Sequence, residues 1–421
     1  MSRKRGLKLL KGQKIEDKWK AIDSQEGLTT KEKLEKLVKT NLRRTQTASP
    51  KMTPPQPQPQ EPFLVKDYTY PLGTKYRQVS LEQWKSIAPR TISLLANEPQ
   101  FDNLNPLDFL YFDTETTGLS GGTGTIPFML GFGFFDQDVF RVKVFILSDL
   151  TSEEEFLDAV DSFFNDHEFA ATVTFNGKTF DFPLMETRYI LQRKRFPLLK
   201  KPHLDFLFPA RTIWKYTYES RKLSFLGDVL LGISRDDDID PGLIPTMYFD
   251  YLRTNSFDQM EKVLEHNALD LLGLSALVLL GAQYLVEPER VNDEGEMLGI
   301  AMLHEKNGSL DRAKEIYEMA RENATREEVL ARIAKRLSAL KKKEKLYDEA
   351  LELWQIMYAA EDPAVYRELS IHFEHREKNY YKALEIVYDG LEKAELTPAR
   401  RLDLEKRLLR LQNKIKKLSE E

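Results

Sequence analysis

Two carboxylates stand two residues apart at the end of an apolar run, Phe109-Leu110-Tyr111-Phe112-Asp113-Thr114-Glu115. Side chains alternate across a strand, so Asp113 and Glu115 point to one face. Like charges gathered there repel one another and resist desolvation unless a cation lies between them, and hard divalent ions seek carboxylate oxygens. For a lone Asp-x-Glu a solvated strand end is the plain alternative, but two further acidic motifs follow. In Thr174-Phe175-Asn176-Gly177-Lys178-Thr179-Phe180-Asp181-Phe182-Pro183 a β-rich run ends in an Asn-Gly turn, and a helical pattern starts around Asp181. In Glu265-His266-Asn267-Ala268-Leu269-Asp270, within a long amphipathic stretch, His266 and Asp270 are one helical turn apart and share a face. Taken singly, that pair reads as a polar contact on a helix surface. Together the three motifs point to a metal-assisted reaction.

The elements that must position these residues can be read from the pattern. Leu107–Asp113, Pro127–Phe135 and Val139–Leu147 read as three consecutive strands, the last two joined at Asp136-Gln137-Asp138 as a hairpin. A helix (Ser152–Asn165), a strand (Thr172–Phe175), a helix (Phe182–Arg195), a strand (His203–Leu207) and further helices follow. The pattern predicts an α/β fold, a mixed sheet flanked by helices. The glycines in Leu119-Ser120-Gly121-Gly122-Thr123-Gly124 are not followed by Gly-Lys-Ser/Thr or by a helix start, so they read as a tight loop rather than a phosphate cradle. Asp205 is a fifth acid on an apolar strand and reads as structural or as a neighbour of the site. Arg221 and Lys222 open an amphipathic helix, either as phosphate contacts or as a solvated helix start.

From about Glu294 the pattern changes to helical hairpins. Asp311-Arg312-Ala313, Asp348-Glu349-Ala350 and Tyr381-Lys382-Ala383 align, and the small residue recurs about every 34 residues. The reading is an all-α tetratricopeptide-like repeat region, with a plain helical bundle as the alternative and the charged helix Arg400–Leu418 as a cap. Residues 1–61 are read as a disordered basic arm ending in a proline–glutamine linker, with short helical stretches around Lys31–Leu42. Residues 62–106 are an extension packed on the α/β domain, 107–290 the α/β domain itself, and 294–421 the helical repeats.

At 421 residues there is ample length for several domains. The net charge of −5 means that a polyanion must be held by a local basic patch or through cations. The chain has no cysteine, which excludes disulfides, thiol chemistry and zinc–cysteine sites. Met1-Ser2-Arg3-Lys4-Arg5 lacks the apolar core of a signal peptide. The greasiest run, Leu271–Val286, falls short of the roughly 20 residues of a membrane helix. A cytoplasmic protein without a membrane partner is the expectation.

The motifs Asp-Thr-Glu-Thr-Thr-Gly-Leu (113–119), Asn-Gly-Lys-Thr-Phe-Asp-Phe-Pro (176–183) and His-Asn-Ala-Leu-Asp (266–270) resemble those of the DEDD exonucleases of the ribonuclease-H-like superfamily, over about Leu107–Val286. Within it the chain is most similar to the YprB-like proteins, in which such a domain is joined to tetratricopeptide repeats. The third motif departs from the commonest form: it carries the histidine of one branch with the three-residue spacing of the tyrosine branch. The resemblance implies that Asp113, Glu115, Asp181 and Asp270 hold two Mg²⁺ or Mn²⁺ ions roughly 4 Å apart, and that His266 takes a proton from the attacking water. It implies further that Thr116, Thr117, Gly118 and Leu119 lie along the terminal nucleotide, and that Asn176 and Lys178 are candidates for substrate contact. The expected activity is 3′–5′ exonucleolytic hydrolysis of single-stranded DNA or RNA, with a protein partner for the repeats. The alternatives are a repeat-based adaptor or nucleic-acid scaffold with a weak or inactive nuclease domain, and a structure-selective endonuclease on the same fold.

Overall fold

The computed structural model describes residues 61–118, 124–234 and 239–420. The chain divides into two units, Met1–Pro59 and Gln60–Glu421, and every described residue belongs to the second. The expectations for the basic arm, its linker and the helix near Lys31 lie outside the described residues. So does Leu119, together with most of the glycine-rich loop.

Strand β1 (Phe63–Pro71) opens the fold, followed by a small hairpin of β2 (Lys75–Tyr76) and β3 (Val79–Ser80) and helix α1 (Pro89–Ala96). Next come β4 (Phe109–Thr116), β5 (Pro127–Asp136), β6 (Val139–Leu147), helix α2 (Glu153–Asn165), β7 (Ala171–Thr174), helix α3 (Asp181–Leu191), β8 (His203–Asp205) and helix α4 (Leu207–Ile213). Six strands form one mixed sheet in the order β1-β6-β5-β4-β7-β8, antiparallel from β1 to β4 and parallel from β4 to β8. The three-strand meander and the β/α units are those expected from the sequence. Residues 63–71 were not expected to form a strand. They complete the sheet by pairing with β6 from Phe63↔Leu147 to Pro71↔Val139, and Lys143 donates to Asp67 across this edge at 3.0 Å.

Cross-strand pairs set the two faces of the sheet. Phe112 of β4 pairs with Phe132 of β5, and their rings stack 5.3 Å apart. Phe182 of α3 meets Phe112, and Phe163 of α2 stacks on Phe132, so these helices cover that face. One residue along, Asp113 pairs with Gly131 and so turns to the opposite face.

That second face is covered by α7 (Asp258–Val286), which crosses β4, β5 and β6. Two shorter helices, α5 (Leu223–Leu226) and α6 (Ile244–Thr254), precede it. The apolar run expected to be too short for a membrane belongs to this helix of 29 residues, which by length and composition alone could cross one. Its apolarity has another cause. Leu271, Leu272, Leu274, Leu277, Val278 and Leu279 are at most 2% exposed in the centre of the domain, so the helix is buried nearly all round.

The helical region comprises α8 (Glu294–Lys306), α9 (Leu310–Glu322), α10 (Glu327–Lys343), α11 (Tyr347–Ala359), α12 (Val365–His375), α13 (Tyr380–Lys393) and α14 (Pro398–Glu420). The helices pack in successive pairs, α8 on α9, α10 on α11 and α12 on α13. The recurring alanines, Ala313, Ala350 and Ala383, are fully buried on the second helix of each pair. Helix α14 closes the array. Its Arg407 and Lys414 each reach the buried Glu374 of α12 at 3.0 Å, and Arg410 joins them.

Backbone contact joins this region to the sheet domain. Gly299 of α8 lies so close to α4 that an added Cβ would stand 2.3 Å from the Thr212 carbonyl oxygen and 2.5 Å from Ile213 Cα. Neither backbone atom can rotate aside. Gly299→Ala is therefore expected to cost on the order of 1–3 kcal/mol or more, as overpacking does, read as a lower urea midpoint with an unchanged slope. At the foot of α8, Arg326 binds Asp293, Glu294 and the Tyr216 carbonyl.

Glu296 sits in the same seam at 5% exposure, and burial, then the charge of Asp293, pushes its carboxyl up to about 7. A carboxyl raised in the folded state binds more protons there than when unfolded, so its contribution to stability falls as pH rises from about 4.5 to about 7. Glu296→Gln should thus gain on the order of 1–3 kcal/mol at pH 8, since one pKa unit is worth about 1.4 kcal/mol, and little at pH 4.5. Thermal melts at the two pH values check this.

Candidate active site

The candidate acids gather at the C-terminal end of β4, where the antiparallel part of the sheet meets the parallel part. Asp113 and Glu115 come from β4, Asp181 from the first turn of α3, and Asp270 with His266 from α7. The β4–β5 register shifts between Glu115 and Thr116, so regular pairing ends where the acids stand.

Electrostatics ties the four carboxylates together. The carboxyl of Asp113 is held well above its ordinary range, first by burial and then by the charges of Asp181, Glu115 and Asp270. Asp181, 7% exposed, is pushed up to about 6, mainly by burial and with a contribution from Asp205. Each acid with a described partner is restrained by a different kind of group. Asn267 donates to Asp113 Oδ2 at 2.8 Å, Thr114 donates to Asp181 Oδ1 at 2.6 Å, and His266 Nε2 lies 3.3 Å from Asp270 Oδ2.

Among the described residues no three Asp, Glu or His side chains converge into a ready-made cage for a cation. The donor set nevertheless fits one. Burial and the charges of Asp181, Glu115 and Asp270 disfavour the charged form of Asp113, and a hard divalent ion would offset that repulsion.

The remaining candidate residues fall into three groups. The Thr116 hydroxyl donates to the Gly118 carbonyl at 2.7 Å, and Thr117 Oγ1 accepts from the Ile126 amide at 3.0 Å, so both shape the loop that leaves β4. Asn176 adopts a left-handed turn (φ 73°), and its amide donates to Asp205 Oδ1 at 2.7 Å. The Lys178 amide donates to Asp205 Oδ2 at 3.1 Å, while its ammonium pairs with Glu98 at 3.0 Å. Asp205 thus clamps the turn that delivers Asp181, which is the structural role the sequence suggested. Arg221 caps local carbonyls of Tyr218 and Glu219, and Lys222 is the residue before α5.

Asn267 was overlooked in the sequence. It is fully buried between His266 and Ala268, and its amide is the group that touches Asp113. The available signal was its place one residue after His266, which turns it by about 100° from the His266–Asp270 line and toward the sheet.

A model of the RNase_H superfamily matches residues 110–280. Over 359 residues the chain is 30% identical to the uncharacterized protein YprB of Bacillus subtilis (strain 168), a match covering 83% of this chain and 86% of that protein. The chain belongs to the YprB family of RNase H superfamily proteins. The matched segment includes Asp113, Glu115, Asp181, His266 and Asp270. Membership in this superfamily supports a nuclease that acts on nucleic acid, and ribonuclease-H-like nucleases generally use divalent metal ions.

Proposed function

We propose that the protein is a metal-dependent 3′–5′ exonuclease that hydrolyses phosphodiester bonds at single-stranded nucleic acid ends. The observation that carries this reading is that β4, α3 and α7 bring Glu115, Asp181 and Asp270 to the buried Asp113, whose carboxyl is held up first by burial and then by the charges of those three acids. Asp113, Glu115, Asp181 and Asp270 would hold two Mg²⁺ or Mn²⁺ ions, which supply charge stabilisation for in-line displacement at phosphorus.

The protein's own groups have distinct parts in the reaction. His266 removes a proton from the attacking water, whose oxygen bonds to phosphorus as the bond to the 3′ oxygen breaks; the leaving oxygen takes up a proton from solvent. Thr116, Thr117 and Gly118 line the approach of the 3′ terminus. Asn176 acts through the shape of its turn. Lys178 reaches substrate only by leaving Glu98.

The helical region carries no chemistry in this proposal and holds a protein partner. Two of the three lysines that end α10 support that choice over nucleic acid, because Lys341 pairs with Glu318 and Glu349, and Lys342 with Glu368. Cations already neutralised by acids offer little to a phosphate backbone.

The test uses matched DNA and RNA oligonucleotides labelled at either end, incubated with and without Mn²⁺. Mononucleotides should leave from the 3′ end of single strands only. Internal fragments would replace the proposal with an endonuclease, and retention without cleavage would replace it with a scaffold.

A further inference from the structure

Asn267 is held in place by more than its neighbours along α7. Gly131, the cross-strand partner of Asp113, has no side chain, and an added Cβ there would stand 1.9 Å from Asn267 Oδ1 and 2.8 Å from Leu271 Cδ1. The missing side chain on β5 is therefore the seat of the Asn267 amide. From that seat Nδ2 donates to Asp113 Oδ2 at 2.8 Å, while Asn267 Oδ1 is buried and has no hydrogen-bond partner among the described residues. Leaving a buried amide oxygen unsatisfied costs free energy, so packing alone would favour an apolar residue at this place. What the amide supplies in return is a side-chain donor to one oxygen of the buried acid, beside the hydrogen bond that the carboxyl takes from the Thr114 backbone.

We propose that Asn267, seated on Gly131, is a positioning residue that fixes the Asp113 carboxylate for cation binding. The inference rests on the nuclease reading above. Asn267 touches neither substrate nor the reacting atoms; it acts through Asp113. Hydrogen bonds that orient a ligating carboxylate typically govern metal affinity by a factor of about 10–100.

Calorimetric titration of the full chain with Mn²⁺ tests this, using wild type, Asp113→Asn, Asn267→Ala, Gly131→Ala and the double variant Gly131→Ala/Asn267→Ala. The double variant places a methyl group where the amide sat, so it preserves packing while removing the donor, and metal-free melts check that it folds. Mn²⁺ affinity should fall about 10–100-fold in Asn267→Ala, in Gly131→Ala and in the double variant. The two single losses should not add, because both act on one contact. Cleavage by Asn267→Ala should recover at saturating Mn²⁺, whereas cleavage by Asp113→Asn should not. A folded double variant that binds Mn²⁺ within about twofold of wild type overturns the inference. In that case, tight binding by wild type and its loss in Asp113→Asn leave the nuclease reading standing. A wild type that takes up no Mn²⁺ overturns both.

Discussion

Asp113→Asn is expected to abolish cleavage while leaving the metal-free protein as stable as wild type or more so, and Asp181→Asn is expected to do the same. The two halves of this result have one origin. Asp113 is raised by burial, Asp181, Glu115 and Asp270, and Asp181 is raised to about 6 mainly by burial. Carboxyls raised in the folded state hold protons that the unfolded chain gives up near pH 4, so the metal-free protein loses stability as pH climbs from about 4 through 6 and beyond. An amide in place of either acid removes part of that slope, and melts at pH 8 should show an equal or higher midpoint for the variants. The same change deletes a ligand for the cations, whose charge stabilisation is worth several kcal/mol in the transition state, or roughly 10³-fold or more in rate. Mn²⁺ should raise the melting temperature of wild type, because it binds only the folded state, and should leave that of Asp113→Asn nearly unchanged. Full cleavage by carefully purified Asp113→Asn protein would overturn the assignment of this acid.

Legibility differed from element to element for physical reasons. The core strands β4 to β6 and their hairpin announced themselves through period and turn chemistry, because their apolar residues lie in runs that only a buried sheet accommodates. Strand β1 did not. In Phe63-Leu64-Val65-Lys66-Asp67-Tyr68-Thr69-Tyr70-Pro71 the charged pair and the terminal proline weaken the strand signal, and both are tolerated because β1 is an edge. The buried helix α7 carried the opposite ambiguity, since a run apolar all round fits a domain core or a bilayer equally well until its neighbours are known. The candidate acids could be singled out because charges at the end of a buried strand and on a helix face contradict their surroundings. The contacts that organise them could not be found. That Gly131 opposes Asp113 follows from strand register, that Asn267 fills the space follows from the way α7 crosses β5, and that Lys178 is tied to Glu98 joins residues 80 apart in the chain.

His266→Ala is expected to slow cleavage by about 10² to 10⁴, the usual contribution of a positioned general base, with little change in Mn²⁺ affinity. The structure gives this prediction a complication worth testing. His266 Nε2 lies 3.3 Å from Asp270 Oδ2 on the next turn of α7, so the imidazole either waits there before taking the proton from water or serves only to orient a ligand. His266→Gln separates the two roles. Its amide nitrogen can donate to Asp270 roughly where Nε2 does, yet an amide cannot accept a proton from water near neutrality. If His266 is the base, the Gln and Ala variants should be about equally slow and should both bind Mn²⁺ as wild type does. If orientation is its task, Gln should rescue most of the rate, and Ala should weaken Mn²⁺ binding through a disordered Asp270. Near-normal turnover by His266→Ala from pH 6 to 9 would remove the residue from the mechanism, and the proton acceptor would then have to be sought outside the third motif.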